Sequence, residues 1–304
     1  MSAIDDGESV KVLITLHQGF DLLDFAGPLE VLSHTKHDIN DPSSDGFDIT
    51  IASVTNELKV QSSQGAMIEA NMTVKQALDT LTEYDVLIVP GGGTPKEVNL
   101  RVDEPPPQVP LVQAFVKIQE DDPKRERTLL SVCTGSLFLA QAGVLQGLYA
   151  TTHPDYDVQL EMICQHASAH DTENRTEVLQ NCRYVVNNAR FDIGDTEDEE
   201  APPNPFIQSY DEYILSKKER RKSNARKGSI SRRLSTTIPE NVAARSTKRL
   251  GGLRVITAGG VMSGIDASLY LASAYVSIDA AEEAARVMQH HDWQKGVVVD
   301  AIDF

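Results

Sequence analysis

Cys133 stands at a junction that is typical of a catalytic nucleophile. It follows the apolar run of residues 129–132, which predicts a strand buried on both faces of a parallel sheet. Thr134-Gly135-Ser136 then opens a segment with helical spacing, and this order predicts a nucleophile elbow, a sharp turn that lifts one side chain above the sheet. We therefore expect the helix dipole to lower the pKa of the Cys133 thiol, and helix N–H groups to stabilise an anion. The alternative is a cysteine that only packs in the core.

Two further groups of candidate residues are predicted at the same edge of the sheet. His153 follows the strand-like residues 148–151, and the glycines from Gly91 on follow the strongly apolar strand of residues 84–89. In open α/β sheets, ligands bind beyond the carboxyl ends of the strands. Glycines there let the backbone approach a ligand closely, although a flexible turn is the alternative interpretation. Neither glycine fingerprint of nucleotide-binding loops is present.

Asp24 is predicted on the loop that leaves the carboxyl end of the first strand, which spans residues 12–16. Pro28 suits the first turn of the helix that follows this loop. Taken by itself, Asp24 is best interpreted as a surface residue that caps this helix.

The order of these elements predicts the fold class. Near-continuous apolar strands alternate with helical segments, which indicates an α/β fold of the flavodoxin-like type, with a doubly wound, mostly parallel sheet that carries the cysteine elbow. We expect a disordered leader over residues 1–10 and a single α/β domain built from residues 11–190 and 253–304.

Residues 191–252 are predicted to be a disordered, charged insertion. Their first part is acidic and their second part is basic, and they hold too few large apolar residues to offset the entropy of ordering. The basic part contains Ser229 and Ser235 in contexts that suit a basophilic kinase. A tolerated loop without a function is the favoured interpretation, ahead of nuclear import or RNA contact.

Near the carboxyl terminus, Asp266 is interpreted as a structural residue. His290 and His291 are predicted on a solvated or dimer-facing edge of the last helix. No third ligand accompanies this histidine pair, so no metal is assigned.

The composition limits the classes of function. The 304 residues include 28 Lys and Arg against 45 Asp and Glu, a formal net charge of −17, which makes nucleic acid an unfavourable partner. Only Cys133, Cys164 and Cys182 are present, and their spacing predicts neither a disulfide framework nor a zinc site. No apolar run reaches membrane-spanning length and the amino terminus is polar, so we expect no membrane contact and a cytoplasmic protein, with the nucleus as the alternative.

Four landmarks in this order resemble the ThiJ/PfpI superfamily, relatives of the class I glutamine amidotransferases. They are FDLLDFAGPLEVL, VPGGG, SVCTGS with ATTHP, and VITAGGVMSGIDASLYL. The resemblance covers residues 11–190 and 253–293 and is closest to the isonitrile hydratase branch. It leaves out the charged insertion.

The resemblance implies roles for particular residues. Cys133 matches the nucleophile of the superfamily, and Asp24 matches an acidic residue that is hydrogen-bonded to it. Four residues are expected to contact the substrate or a developing oxyanion: Gly92, Gly93, Thr134 and His153. Peptidase-type members have a histidine directly after the cysteine, where this chain has Thr134, which argues against a protease. No helix-turn-helix segment of AraC-type regulators is evident, and a homodimer is implied.

The function that the resemblance implies is a lyase of the isonitrile hydratase type. Cys133 would attack an isonitrile carbon and Asp24 would supply a proton, which gives a thioimidate that water converts to an N-substituted formamide. Two alternatives stay open: a redox-sensing, stress-related relative with an oxidisable Cys133, and a cysteine hydrolase that acts on another small electrophile. No cofactor is expected for any of the three.

Overall fold

A nine-stranded, mostly parallel sheet forms the centre of the described part of the molecule. The computed structural model describes residues 8–93, 105–168, 175–188, 204–221 and 249–299. The strands in chain order are β1 (Val10–Leu16), β2 (Phe47–Ser53), β3 (Lys59–Gln61), β4 (Met67–Glu69), β5 (Met72–Thr73), β6 (Val86–Val89), β7 (Thr128–Val132), β8 (Tyr149–Ala150), β9 (Glu177–Val178), β10 (Tyr184–Asn187), β11 (Ile207–Ser209), β12 (Arg254–Ala258) and β13 (Gly296–Val299). The order across the large sheet is β11-β13-β10-β12-β7-β6-β1-β2-β5, and in its described pairs only β10 and β12 are antiparallel.

Helices cover both faces of this sheet. In chain order they are α1 (Leu22–His34), α2 (Val74–Asp79), α3 (Gln108–Asp121), α4 (Ser136–Gln141), α5 (Asp157–Ala167), α6 (Tyr210–Arg221), α7 (Val261–Tyr275) and α8 (Ile278–Val287). Helices α1, α7 and α8 share one buried apolar cluster with the sheet, and α2 to α5 share the cluster on the opposite face. The predicted α/β fold with a doubly wound, mostly parallel sheet is confirmed.

The central strands bring three loops to one edge of the sheet. Strands β6 and β7 are buried along their whole length, as their continuous apolar runs predicted, and both run parallel to β1. The loops that follow these strands contain Asp21, Gly91 and Cys133. Two of them touch directly, because Phe20 and Gly92 form a β-bridge. The candidate site is therefore assembled where parallel strands end together.

The start of α1 differs from the prediction. The helix begins at Leu22, so Asp24 lies in its first turn and Pro28 lies inside it. The cap is Asp21, whose Oδ1 accepts a hydrogen bond from the backbone N–H of Leu23 at 3.1 Å. The proline misled the prediction, because proline is common at the start of a helix but is also tolerated further in when the sheet and neighbouring helices hold the helix in place.

The predicted disordered insertion is wrong for part of its length. Within it, the structure describes β11, α6 and a 3₁₀ turn at Arg249–Gly252. Strand β11 extends the sheet beside β13, and Tyr213 of α6 is buried against Val185 and Val297. Pairing with an existing sheet thus stabilises a segment whose own composition is mostly polar. Ser229 and Ser235 lie outside the described residues, and the division into leader, domain and insertion otherwise stays a prediction.

One of the two carboxyl-terminal histidines differs from the prediction. His290 is not a solvated edge residue, because its Nε2 lies 2.6 Å from Oδ1 of the fully buried Asp266. Oδ2 of the same carboxyl accepts from Arg183 Nε at 2.5 Å and from Gln294 N at 3.1 Å. Asp266 therefore joins three segments of the chain, which fits its predicted structural role. His291 is exposed.

Three findings bear on the expected chemistry. All three cysteines, at positions 133, 164 and 182, are unpaired and buried. The described residues contain no group of three potential metal ligands. Among the helices that the structure describes, none is long and apolar enough to cross a bilayer.

Replacing Gly135 by Ala should destabilise the fold. Gly135 has a helical φ of −58°, so alanine adds no backbone strain, but its Cβ would lie 2.1 Å from the carbonyl oxygen of Val89. We expect a loss of about 1–3 kcal/mol in the free energy of unfolding, measured with urea. Gly260→Ala is the control, since its Cβ would meet no atom closer than 3.9 Å. Equal losses in the two variants would contradict the close packing of the elbow on β6.

Candidate active site

The backbone of Cys133 has the strained geometry of a nucleophile elbow. Its φ is 57°, in the left-handed region that non-glycine residues rarely adopt. Two hydroxyl groups donate to its carbonyl oxygen, Oγ1 of Thr152 at 3.1 Å and Oγ of Ser136 at 3.2 Å. The turn is therefore fixed both by the helix that follows it and by the segment that ends in His153. Cys133 as a whole is only 7% exposed.

Asp24 is the acidic partner of this thiol. Its side chain is fully buried in the first turn of α1, and Oδ2 accepts a hydrogen bond from the backbone N–H of Gly91 at 3.1 Å. Oδ1 makes no hydrogen bond of regular geometry in the described structure. Burial raises the pKa of Asp24 to about 7 and the charge of Asp21 adds to this, whereas the contacts with Gly91 and the Cys133 thiol lower it less. Asp24 can therefore hold a proton near neutral pH.

The expected lowering of the Cys133 pKa is wrong. Burial, followed by the negative charge of Asp24, raises the pKa of this thiol to about 12, and a hydrogen bond from the Thr134 backbone opposes these effects only in part. The sequence could not show this, because the pKa depends on how deeply the elbow is covered. If Asp24 takes up a proton, the charge that disfavours the thiolate disappears. The two groups therefore titrate jointly and keep at least one proton across the neutral range.

The glycine loop after β6 packs against the elbow through its backbone. The N–H of Gly92 donates to Thr134 Oγ1 at 3.0 Å, and the N–H of Gly93 donates to the carbonyl of Gly19 at 2.7 Å. Gly92 has a φ of 113°, and a Cβ there would lie 2.2 Å from the backbone nitrogen of Asp21. No other residue type fits this position. An oxyanion would have to displace Thr134 to reach the Gly92 N–H, so the oxyanion role of these glycines stays a prediction.

His153 lies at the same edge, beside the start of α7. A Cβ on Gly260 would be 3.9 Å from Cδ2 of the His153 ring, and Nδ1 of this ring accepts from the N–H of Asp155 at 3.3 Å. Its side chain is 33% exposed. His153 makes no hydrogen bond to Cys133 in the described structure, so its contact with a substrate is also a prediction.

Two residues of the site were missed by the sequence analysis. The turn between β3 and β4 carries Gln64, whose Nε2 donates to Asp21 Oδ2 at 2.6 Å and whose Oε1 accepts from the N–H of Leu22 at 3.0 Å. Gln64 and Asp21 are distant in sequence and no motif joins them. The surface on which the β3–β4 hairpin packs depends on tertiary structure, so the sequence did not indicate it either.

The fold and the site define the class of this protein, an α/β protein with a cysteine at a nucleophile elbow. Its family is identified by comparison of its sequence with a family profile. The profile of the DJ-1/PfpI family matches residues 10–188. This is more than half of the 304-residue chain, and the chain belongs to this family, as its resemblance to the ThiJ/PfpI superfamily predicted.

Individual relatives are distant. An uncharacterized protein in the cpoL 5′ region of Streptomyces lividans is 29% identical over 51% of this chain and 94% of its own length. Protein DJ-1 homolog B of Arabidopsis thaliana is 26% identical over 59% of this chain, and the chain spans only 35% of that relative. Among solved structures, DJ-1beta of Drosophila melanogaster has a TM-score of 0.54 at 15% identity, with 93% of this chain and 98% of that chain covered. At this identity the likeness supports the fold alone.

The raised pKa of Asp24 predicts a pH dependence of stability. The folded state binds this proton with a pKa of about 7 against an ordinary value of 3.8, so wild-type stability should fall as the pH rises from about 4 to about 7. Asp24→Asn lacks this effect. Relative to wild type, its free energy of unfolding should therefore increase over this range, by at most about 4 kcal/mol. Urea unfolding at several pH values measures it.

The control for this experiment is Asp48→Asn, which removes an exposed carboxylate of β2. Its pH dependence should match that of the wild type. If Asp24→Asn also follows the wild type, the Asp24 carboxyl is ionised at pH 5 and its proposed acid role is lost.

Proposed function

We propose that the protein is a cysteine-dependent lyase of the isonitrile hydratase type, which hydrates a small isonitrile to an N-substituted formamide. The observation that carries the proposal is the buried pair of Cys133 and Asp24, in which a carboxyl with a pKa of about 7 contacts the elbow thiol. Such a pair places a nucleophile and a proton donor where both can reach the same atom of a substrate. Addition to an isonitrile carbon needs both, because that carbon forms one bond to sulfur and one to hydrogen.

The first half-reaction uses the single proton of the pair. Because the pKa of Cys133 is about 12 and that of Asp24 about 7, this proton rests on the sulfur and first passes to the Asp24 carboxylate. The thiolate formed in this way attacks the terminal carbon of R–N≡C. The Asp24 proton passes to the same carbon, which gives the thioimidate R–N=CH–S–Cys133 and an Asp24 carboxylate. The limited exposure of Cys133 favours a small, linear electrophile such as an isonitrile.

Water completes the reaction and restores the pair. The Asp24 carboxylate takes a proton from water as the hydroxyl adds to the thioimidate carbon, and this proton moves on to the nitrogen. The hydroxyl proton then returns to Asp24 as the carbonyl forms and the carbon–sulfur bond breaks. The products are R–NH–CHO and a Cys133 thiolate beside protonated Asp24, and return of this proton to the sulfur restores the resting pair. One water is consumed for each isonitrile.

The two other functions draw less support from this site. A redox sensor needs an accessible thiolate and no proton donor, whereas this site pairs a buried thiol with a carboxyl that can hold a proton near neutral pH. A cysteine hydrolase would require donors for an oxyanion, and the N–H groups of Gly92 and Gly93 already have acceptors. Intact mass after mild peroxide separates the sensor from both enzymes, because a sensor gains oxygen on one cysteine and turns over no electrophile.

A homodimer in the cytoplasm completes the proposal. The resemblance to the superfamily implies the dimer, and α1 offers a partly exposed apolar stripe of Leu22, Ala26 and Leu29. Ile49 and Ile51 of β2 are also only partly buried against this cluster. We expect Leu29→Asp to shift the mass measured by light scattering from dimer to monomer. A monomeric wild type would contradict the dimer without affecting the chemistry.

Isonitrile consumption by wild type and by Cys133→Ala tests the proposed reaction, with the formamide detected by mass spectrometry. Wild type should produce the formamide, and Cys133→Ala should lose turnover completely while it stays folded, because the carbon–sulfur bond cannot form. Cys164→Ala is the matched control, since Cys164 is a buried thiol on α5 away from the elbow. Formamide from Cys133→Ala, or none from a folded wild type, contradicts the proposal.

A further inference from the structure

Asp21 provides a second carboxylate near the buried pair of Asp24 and Cys133. Its backbone N–H donates to the carbonyl of Gly91 at 2.9 Å, and the N–H of the same Gly91 donates to Asp24. A single peptide segment therefore joins Asp21 to the buried acid. Unlike Asp24, Asp21 is partly exposed.

The carboxylate of Asp21 is fixed by neutral partners. Its Oδ2 accepts from Nε2 of Gln64, and its Oδ1 accepts from the N–H of Leu23. The hairpin that carries Gln64 is tied to the same loop, because the N–H of Ser63 donates to the carbonyl of Phe20 at 2.9 Å. None of these contacts supplies a positive charge, so the Asp21 charge is held in place without being cancelled.

Asp21 acts electrostatically on both reacting groups. Its charge raises the pKa of Asp24 and that of Cys133, and among the described residues every charge that shifts these two pKa values is a carboxylate. The other titratable groups at this edge include His17, which directly follows β1, and His153 and Asp155 on the segment after β8. Burial lowers the pKa of His17 to about 4, so this histidine is neutral at neutral pH. The first turn of α7 has no acidic residue.

Two large apolar side chains are exposed on the helices that begin at this edge of the sheet. Leu23 on α1 is 39% exposed and Met262 on α7 is 44% exposed. Both helices begin at the carboxyl edge of the sheet, and they touch where Gly27 faces Ile265. Leu23 lies one turn before this contact on α1 and Met262 one turn before it on α7, so both lie near the carboxyl edge of the sheet.

We propose that Asp21 is a specificity-determining residue, whose fixed carboxylate makes the Cys133 site accept small uncharged electrophiles and reject anionic ones. Leu23 and Met262 contact the apolar substituent of such an electrophile. This rests on Cys133 as the reacting group of the proposed function, and it names the substrate class of that site. An isonitrile with a carboxylate or phosphate in its substituent would be a poor substrate, and one with a short hydrocarbon substituent a good one.

Alkylation of Cys133 by iodoacetamide and by iodoacetate tests this charge selectivity. In both reactions the thiolate forms a carbon–sulfur bond and iodide leaves, and the reagents differ in one negative charge. Rates are measured at Cys133 by peptide mass spectrometry, and 2-mercaptoethanol serves as the uncharged reference thiol. The ratio of the iodoacetamide rate to the iodoacetate rate should exceed the reference ratio by about tenfold, the order expected for two like charges a few ångströms apart in a water-like dielectric.

Asp21→Asn should lower this ratio severalfold towards the reference value. Asparagine caps helices as well as aspartate does, so α1 is preserved. Both reagents react with the same thiolate, so a change in the ionised fraction of Cys133 cancels in the ratio. A purely structural effect of Asp21→Asn therefore leaves the ratio unchanged. Asp48→Asn removes the same charge from the exposed surface of β2 and should keep the wild-type ratio.

Three outcomes would overturn the proposal. They are a wild-type ratio equal to that of the reference thiol, equal ratios in wild type and Asp21→Asn, and a native Cys133 that neither reagent labels. The test does not depend on isonitrile turnover. A protein that shows the charge selectivity but makes no formamide would contradict the proposed reaction and leave the role of Asp21 standing.

Discussion

The buried contact between the Asp24 carboxyl and the Cys133 thiol is the constraint on which the rest of the site depends. Neither group can be stabilised as an anion by water, because Asp24 is fully buried and the thiol is almost so. One N–H group, from Gly91, reaches the carboxyl. Asp24 therefore keeps its proton up to about pH 7, where an exposed aspartate has already lost it, and this proton is available for transfer to a bound electrophile.

The fold maintains this contact by bringing backbone segments closer than side chains allow. Gly135 lies against the carbonyl of β6 and Gly92 lies against the start of α1, and a Cβ at either position would overlap backbone atoms. Cys133 itself adopts a positive φ, and its carbonyl is held by Thr152 and Ser136. Strain at one residue is thus offset by hydrogen bonds and close packing from three separate parts of the chain.

Sequence reasoning predicted the parts of the molecule that local patterns determine. The buried strands β6 and β7 are continuous apolar runs, and the elbow at Cys133 is marked by the residues directly around it. What depends on tertiary packing was missed. The pKa of Cys133 follows from its burial, the contact of Gln64 with Asp21 joins distant segments, and α6 is stabilised by the sheet rather than by its own polar composition.

The proton on Asp24 can be observed directly by following its carboxyl carbon in a ¹³C NMR titration. The resonance is assigned by its loss in Asp24→Asn, on protein labelled at the aspartate carboxyls. The account predicts a midpoint near pH 7, and a shift of that midpoint when Cys133 is alkylated, because the two groups titrate together. A midpoint near the ordinary aspartate value of about 4, unchanged by alkylation, would contradict it.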